Sequence, residues 1–394
     1  DSSLIRRSLL IALAIAIIAT WPMIFQPTKG LIGHPGNDVW NHVWGYWWVG
    51  QELMAGRWPS QTNLMHYPET GSLFFIDSFG AVLPLPLQWI GGPVLAYNAA
   101  VFISFAATAF CSWALTRYLL LQLDPPEQAE RHAWLATCTY TFAPHLLAQC
   151  YNGISETLNA YALPLAMLAM IRVYERPGLR RALQAAGAVA IGVLANWYYG
   201  LFAAIGSGLW LLMLALLQRE RIRWRGLPAA LSVVGGGVLL LAGPILLGFA
   251  SSLEGQSAMV TRDRDFVWKQ LLTHNITDME SFFHGGHFYS PDLKLLHGED
   301  LLIVVYWGWI PLLLGLLGLG RLHRWRDRLP WIIWIACFAL LALGPYLYLH
   351  GAYLELKGHR IPLPFLALFQ LFPMFERISH PFRFVMGVML GLGV

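Results

Sequence analysis

Two acids that could carry chemistry stand beside long apolar runs of the sequence. Asp38 follows the first run, and Glu156, within the stretch NGISETLNAY, directly precedes another. Ionisable residues at membrane depth are functional candidates by default, so both carboxylates are predicted to be catalytic. The alternative is structural. Asp38 could cap a helix N-terminus. Asn152 or Ser155 could cap the helix near Glu156, and the negative charge of Glu156 would then interact favourably with the dipole of that helix.

Histidines around Asp38 suggest a metal site as a further alternative. His34, Asp38 and His42 are spaced by four residues, and His66 follows them. Histidine and carboxylate groups are common ligands of divalent metals. A proline and a glycine interrupt the helical spacing after His34, so hydrogen bonds to lipid headgroups or to neighbouring loops would explain these histidines equally.

A later loop adds two more weak candidates for metal ligands. Asp263 and Asp265 form an Asp-x-Asp pattern inside the stretch TRDRDFVWK. Alternating charges of this kind usually mark a solvated face. No cofactor is therefore predicted, and a divalent metal held by these aspartates or by His34 and His42 is kept as the alternative.

Basic side chains gather just before the last apolar run. Arg377, His380 and Arg383 lie there, within the stretch FERISHPFRF. The planar fork of arginine matches phosphate geometry, which predicts that these three residues, together with His42, bind a phosphate-bearing substrate. The structural alternative is that the arginine heads extend to the lipid headgroups.

Composition indicates that membrane helices position these residues. The chain has 394 residues, of which 57% are hydrophobic and only 12% are charged, whereas soluble domains carry about 25% charged residues. The net charge of +4 gives no indication of nucleic-acid binding. The chain starts without methionine and stops inside an apolar run, so both ends, the C-terminus above all, are expected to be incomplete.

Nine apolar runs are long enough to span a bilayer, and a tenth starts near Phe382. The nine runs are residues 9–25, 96–121, 133–150, 158–173, 182–197, 201–217, 227–250, 301–319 and 330–349. The sequence thus predicts one all-α domain over residues 1–394, a polytopic transmembrane bundle of about ten or more helices.

Arginine-rich loops alternate strictly with the remaining loops along this series. The positive-inside rule makes the arginine-rich set cytoplasmic, together with the N-terminus. The long loops 26–95, 251–300 and 350–381 then lie on the outer face, and interfacial helices are predicted within them. A multi-pass protein of the bacterial inner membrane, with its chemistry on the periplasmic side, is the expected localisation.

The first outer loop carries the most specific pattern. Its polar residues recur at helical spacing, which predicts an amphipathic helix lying in the membrane interface; they are Asp38, Asn41, His42, Gly45, Trp48, Gln51 and Glu52. The patterns L-x-x-G-x-x-P and Y-P-x-x-G follow, at Leu53, Gly56 and Pro59 and at Tyr67, Pro68 and Gly71. This arrangement resembles the first outer loop of the GT-C superfamily, the polytopic glycosyltransferases that use polyprenyl-phosphate-linked sugars.

The resemblance implies roles for the candidate residues. Asp38 would be the base that accepts a proton from the acceptor hydroxyl, and Arg377 with Arg383 would hold the lipid phosphate. The partners would be a polyprenyl-phosphate-linked sugar, membrane lipid and an acceptor that the sequence does not identify. Several members of the superfamily carry an acidic pair here, whereas Asp38 stands between Asn37 and Val39, which weakens a metal-dependent mechanism.

Two other functions are compatible with the sequence. A non-catalytic relative could serve as a scaffold or assembly subunit of a larger membrane complex, because Asp38 lacks the acidic partner found in several members of the superfamily. A lipid or solute transporter fits less well, since the apolar runs hold almost no ionisable residues near the bilayer midplane.

Overall fold

The computed structural model describes residues 2–59, 61–64, 71–72, 78–254, 264–285, 302–322 and 324–394. Within these ranges the chain is helical apart from three hairpins with strands of two residues each. The hairpins pair β1 (Gln61–Thr62) with β2 (Gly71–Ser72), β3 (Tyr348–Leu349) with β4 (Ala352–Tyr353), and β5 (Glu355–Leu356) with β6 (His359–Arg360), all antiparallel. The predicted all-α class is confirmed.

Fifteen α-helices lie within the described ranges. They are α1 (Ser2–Ala19), α2 (Val39–Met54), α3 (Ser78–Val82), α4 (Leu85–Leu120), α5 (Pro126–Thr141), α6 (Pro144–Asn152), α7 (Ala162–Glu175), α8 (Leu179–Ala195), α9 (Trp197–Leu217), α10 (Leu227–Glu254), α11 (Arg264–Thr273), α12 (Trp309–Arg321), α13 (Trp325–Ala342), α14 (Pro364–Leu371) and α15 (Val385–Gly393). Short 3₁₀-helices include Ser155–Leu158, Met279–Phe282, Phe375–Arg377 and Pro381–Phe384.

Five helical segments in the described chain are long and apolar enough to cross a membrane. They are α1, α4, the combined stretch Ser155–Glu175, α9 and the Leu227–Gly248 part of α10. α12 and the stretch Pro381–Gly393 are shorter apolar helices. The chain is therefore a membrane protein, as its composition predicts.

The predicted runs 9–25 and 301–319 are wrong in detail, because α1 already ends at Ala19 and α12 begins only at Trp309.

Two further predicted spans are wrong in detail, and proline explains both differences. The run 133–150 is split, because α5 ends at Thr141 and α6 begins at Pro144. The run 330–349 stops at Ala342, shortly before Gly344, which has φ +79°, and Pro345. Proline lacks an N–H and disfavours helical geometry at the residue before it, so it separates helices that hydropathy alone joins.

The chain divides into two compact units. The first comprises Asp1–Phe142 and Gln149–Thr261, and the second comprises Ala143–Ala148 and Arg262–Val394. In the first unit α4 packs against α1, α2, α5 and α7, while α8 packs against α7, α9 and α10. α4 thus packs against both α2 and apolar helices of this unit.

The second unit is built around α13 and α15. The indole of Trp334 on α13 donates a hydrogen bond of 2.8 Å to the carbonyl of Gly387 on α15. A Cβ atom added at Gly387 would lie 2.0 Å from the ring of Phe338, so the two helices approach each other at backbone distance. This packing supports the turn Pro381–Phe384, which carries Arg383.

Candidate functional site

The start of α2 is packed onto the turn that follows α6. Gly153 in that turn has φ +75°, a backbone conformation that side chains disfavour. A Cβ atom added there would lie 2.5 Å from Cβ of Val39, the first residue of α2. Only glycine permits this approach, which brings the region of Asp38 beside the segment that carries Glu156.

Two buried side chains of α4 hold the loop that leads into α2. The Tyr97 hydroxyl lies 2.9 Å from the Ile32 carbonyl and 3.1 Å from the Gly153 carbonyl, and can donate to either. The Asn98 amide donates to the carbonyls of Pro27 and Gly30 at 2.9 and 2.6 Å. The loop and the Gly153 turn are therefore fixed to one helix.

His42 and Glu156 form a pair at this junction. Nε2 of His42 lies 3.2 Å from Oε2 of Glu156, and only 9% and 17% of the two side chains are exposed. The other ring nitrogen, Nδ1, lies 3.1 Å from the Ser155 hydroxyl. The imidazole ring of His42 thus lies between the Ser155 hydroxyl and the Glu156 carboxylate, and the two contacts together orient it.

The backbone around Glu156 is anchored independently of its side chain. The Asn196 amide donates to the Glu156 carbonyl at 3.0 Å, and the Tyr199 hydroxyl donates to the Thr157 carbonyl at 2.6 Å. The 3₁₀-helix has no side-chain cap, so the expectation that Asn152 or Ser155 caps it is wrong. The Ser155 hydroxyl turns to His42 instead.

The carboxylate of Asp38 does not cap its helix. Asp38 occupies the N-cap position of α2, but its side chain accepts no backbone hydrogen bond there. Oδ1 accepts a bond of 3.3 Å from the Asn41 amide, and the residue is half-buried. The capping alternative is therefore wrong, and Asp38 stands one helical turn before His42, with a carboxylate that retains acceptor capacity.

Most of the polar stripe of α2 is buried or half-buried, whereas Asn41 is exposed. His42, Trp48 and Glu52 are buried, and Arg57 donates two hydrogen bonds of 2.6 and 2.7 Å to the Glu52 carboxylate. The Glu52–Arg57 ion pair lies at the C-terminal end of α2, whereas the His42–Glu156 pair lies near its N-terminal end. Whether the helix lies in the membrane interface stays a prediction.

The candidate metal ligands that the structure describes do not converge on one point. The His34 ring stacks on Tyr151 with centroids 5.2 Å apart, and its Nδ1 accepts from the Gly36 N–H. Asp265 is exposed in the first turn of α11, while His66 and Asp263 lie outside the described residues. Over the described ranges no three histidine, cysteine or carboxylate side chains come together as metal ligands do.

The basic residues near the end of the chain lie in the second unit. Arg377 is exposed and Arg383 is half-buried. His380 stands between them, with the Ser379 hydroxyl 2.8 Å from its Nδ1. The Asn275 amide, only 4% exposed, donates to the Ser379 carbonyl at 2.6 Å. Asn275, which begins an Asn-x-Thr sequence, thus serves to fix this segment.

A buried histidine that sequence reasoning missed stands near Arg383. His145, on the short helix α6 outside the candidate spans, donates from Nδ1 to the Val304 carbonyl at 2.9 Å. Burial lowers the pKa of His145 to about 4, and the positive charge of Arg383 adds to the lowering. His145 is therefore neutral at pH 7, and the positive charge there belongs to Arg383.

Comparison with known proteins identifies the fold. No family model matches the sequence, and no curated protein does. Among solved structures, ArnT from Cupriavidus metallidurans bound to undecaprenyl phosphate matches with a TM-score of 0.54 at 14% identity, over 98% of this chain and 59% of that one. The apo oligosaccharyltransferase of Archaeoglobus fulgidus matches with a TM-score of 0.53 at 15% identity, over 99% of this chain and 50% of that one.

These matches define the class of fold. The chain has a GT-C-like fold, which confirms the resemblance seen in its first outer loop. The chain thus spans 59% of the length of the ArnT structure and 50% of the length of the oligosaccharyltransferase structure. At such low identities the likeness concerns the fold, and the roles of Asp38, Glu156 and the basic residues rest on the chain's own geometry.

Proposed function

We propose that this protein is a membrane glycosyltransferase that transfers a sugar from a polyprenyl-phosphate carrier to an acceptor at the outer face of a bacterial inner membrane. The GT-C-like fold supports this proposal, and so does the undecaprenyl phosphate bound to one of the two similar structures. The observation that carries it is the junction of α2 with the Gly153 turn, where Asp38, which does not cap α2, precedes His42 of the His42–Glu156 pair by one helical turn.

Asp38 is proposed as the general base. As the acceptor hydroxyl attacks the anomeric carbon, its proton passes to the Asp38 carboxylate, the bond from that carbon to the phosphate oxygen breaks, and the lipid phosphate leaves with its negative charge. The half-buried carboxylate with spare acceptor capacity suits this role.

Glu156 and His42 are proposed to shape the same site. Both nitrogens of His42 have partners within the chain, so its proposed role is to hold Glu156 in place, in addition to the phosphate-binding role predicted from sequence. Glu156 then presents a second carboxylate toward the substrate. Its backbone is fixed by Asn196, as a preorganised catalytic group requires.

Arg377, His380 and Arg383 are proposed to bind the phosphate of the carrier. Guanidinium groups form bidentate hydrogen bonds with phosphate oxygens and stabilise the charge that develops on the leaving group. Because His145 is neutral at pH 7, it places no second positive charge beside Arg383. Anchoring of the neighbouring Ser379 by Asn275 keeps the segment ordered.

The test is a comparison of Asp38→Asn, Glu156→Gln and Glu52→Gln in cells. Loss of a general base typically costs 10²–10⁴-fold in rate, so Asp38→Asn should reproduce the glycan defect of a deletion strain. Glu52→Gln is the matched control, because it changes an acid to an amide on the same helix but affects only the Arg57 pair. Cell-surface glycans and lipid-linked sugars are profiled, with membrane levels checked by immunoblot.

The alternative of a non-catalytic scaffold gives the opposite pattern. Asp38 stands between Asn37 and Val39 without an acidic neighbour, which a scaffold would tolerate. In that case the deletion strain shows a phenotype while Asp38→Asn and Glu156→Gln behave like wild type. Stoichiometric co-purification with other membrane proteins would then identify the complex.

A further inference from the structure

A basic cavity lies at the end of the Ser155–Glu175 segment opposite to Glu156. It has a volume of about 570 Å³ and is lined by Tyr118, Arg172, Arg176, Gly178, Leu179, Arg180, Arg181 and Gln184. About twenty residues of mostly helical chain separate Glu156 from it, which corresponds to roughly 30 Å. The cavity is thus distinct from the proposed glycosyl-transfer site.

The four arginines have no acidic partner in the described chain. Glu175, which adjoins Arg176 in the sequence, is already engaged by Arg221 at 2.8 Å and by the Tyr118 hydroxyl. Arg172 stacks over the Tyr118 ring at 5.0 Å, and no described side chain forms an ion pair with Arg172, Arg176, Arg180 or Arg181. Four positive charges around one concavity repel each other unless an anion lies between them.

The N-terminus of α8 adds to this positive potential. α8 has seventeen residues, its N-cap Gly178 provides no side-chain acceptor, and its first turn contains no acid. Arg180 and Arg181 occupy that turn, although cations are unfavourable at the positive end of a helix. An anion in the cavity would accept from the first-turn N–H groups and neutralise both arginines.

The positive-inside rule does not account for this arrangement. It sets how many basic residues a cytoplasmic loop carries, but not their convergence on a cavity. One of them is fixed in place, because Arg181 donates to the Arg176 carbonyl at 3.0 Å. The guanidinium groups of Arg176 and Arg180 form no hydrogen bond with any described residue, so they are available to a ligand.

We propose that this cavity binds a phosphate-bearing anion with at least two negative charges, held by Arg172, Arg176, Arg180 and Arg181. Such a group is found in the headgroup of a diphosphate lipid and in soluble polyphosphates. Exposed Leu179 and Leu183 continue from the arginines along α8, as the acyl chains of a lipid would require. Basic pockets between membrane helices on the cytoplasmic side are known to bind such headgroups.

The experiment measures binding to the purified chain in a zwitterionic detergent. The probes are cardiolipin, phosphatidylcholine as a control whose zwitterionic headgroup has no net charge, and sodium pyrophosphate. The cavity variant is Arg176→Gln with Arg180→Gln. The matched control is Arg223→Gln with Arg225→Gln, which removes the same charge from two exposed arginines of the next basic loop that do not line the cavity.

The expected result is that wild type and the control variant bind cardiolipin at least tenfold more tightly than the cavity variant, while phosphatidylcholine does not bind. Pyrophosphate that binds wild type and displaces cardiolipin would identify a soluble polyphosphate as an equal source of the ligand. Equal loss in the cavity and control variants, or absence of binding to both anions, would overturn the proposal. If the double variant loses its thermal unfolding transition, Arg180→Gln alone decides, because this exposed side chain has no hydrogen bond or ion pair with a described residue.

Discussion

At the scale of single residues, the most consequential finding is that His42 and Glu156 meet. The two residues are 114 positions apart in the sequence, and their contact depends on the close packing of Val39 against Gly153. Sequence analysis could select each residue by type and by its place beside an apolar run. It could not predict the pairing or the role of Ser155, because both follow from how separate helices pack.

His42→Ala should destabilise the protein and reduce its activity. Removing the imidazole takes away the His42 contact of the Glu156 carboxylate and leaves a cavity, and such a loss of buried contacts should cost about 1–3 kcal/mol. Thermal unfolding in detergent measures the loss. Ser155→Ala is the companion variant, since it removes the contact to Nδ1 while the carboxylate contact stays in place, and it should have a smaller effect. Equal stability of His42→Ala and wild type would contradict the pair.

His145 should make the stability of the protein depend on pH. Its folded-state pKa of about 4 lies below the ordinary value of 6.5, so the unfolded chain binds a proton that the folded chain excludes. Stability is therefore retained above pH 6.5 and lost progressively as the pH falls from 6.5 toward 4, by up to about 3 kcal/mol.

The measurement compares wild type with His145→Asn, whose amide can donate to the Val304 carbonyl but does not titrate. The difference in thermal stability between the two proteins should shift in favour of the variant as the pH is lowered from 7 to 4. A difference that stays constant over this range would show that His145 can be protonated in the folded state.

At the scale of elements, the junction between α2 and the Gly153 turn determines the geometry of the candidate site. The pattern of α2 was predictable, because its periodicity is local. The extent of α6 and α13 was not predictable from hydropathy, because Pro144 and Pro345 end or separate helices inside continuous apolar runs. The 3₁₀-helix at Glu156 was also unpredictable, since its conformation depends on hydrogen bonds from Asn196 and Tyr199.

Gly153→Ala should separate the two halves of the site. The added methyl group would approach Val39 to 2.5 Å in a backbone conformation with φ +75°, and overpacking of this kind costs about 1–3 kcal/mol. Gly187→Ala in α8 is the control, because no atom lies within 4 Å of the added carbon. It should leave stability unchanged or raise it by about 0.5–1 kcal/mol.

Both thermal stability and glycan transfer should fall in Gly153→Ala, and neither should fall in Gly187→Ala. If the Gly153 variant retained wild-type stability, the packing of Val39 on the turn would not be what positions Asp38 and Glu156.

At the scale of the whole molecule, the GT-C-like fold was predictable because two independent regularities agree, the alternation of arginine-rich loops and the pattern of the first outer loop. The division into two compact units was not predictable, and it places Arg377 and Arg383 in one unit and Asp38 in the other. Each unit presents its own candidate groups.

The predicted topology can be tested with single cysteines in a variant that lacks the four native cysteines. Lys357→Cys, exposed in the β5–β6 hairpin, should react with a membrane-impermeant maleimide added to intact cells. Arg225→Cys, exposed in a basic loop, should react only after the membrane is permeabilised. Labelling of both cysteines in intact cells, or the reverse pattern, would contradict a cytoplasmic N-terminus.

The Ser155–Glu175 segment also sets a fixed distance between two features of the protein. It fixes a buried acid near one end and an arginine-lined cavity at the other, roughly 30 Å apart, a spacing close to the hydrocarbon thickness of a typical bilayer. A thicker or thinner membrane must deform around the protein, because the segment itself cannot change length. Sugar transfer by the reconstituted protein should therefore be fastest at one acyl-chain length and decline on either side of it.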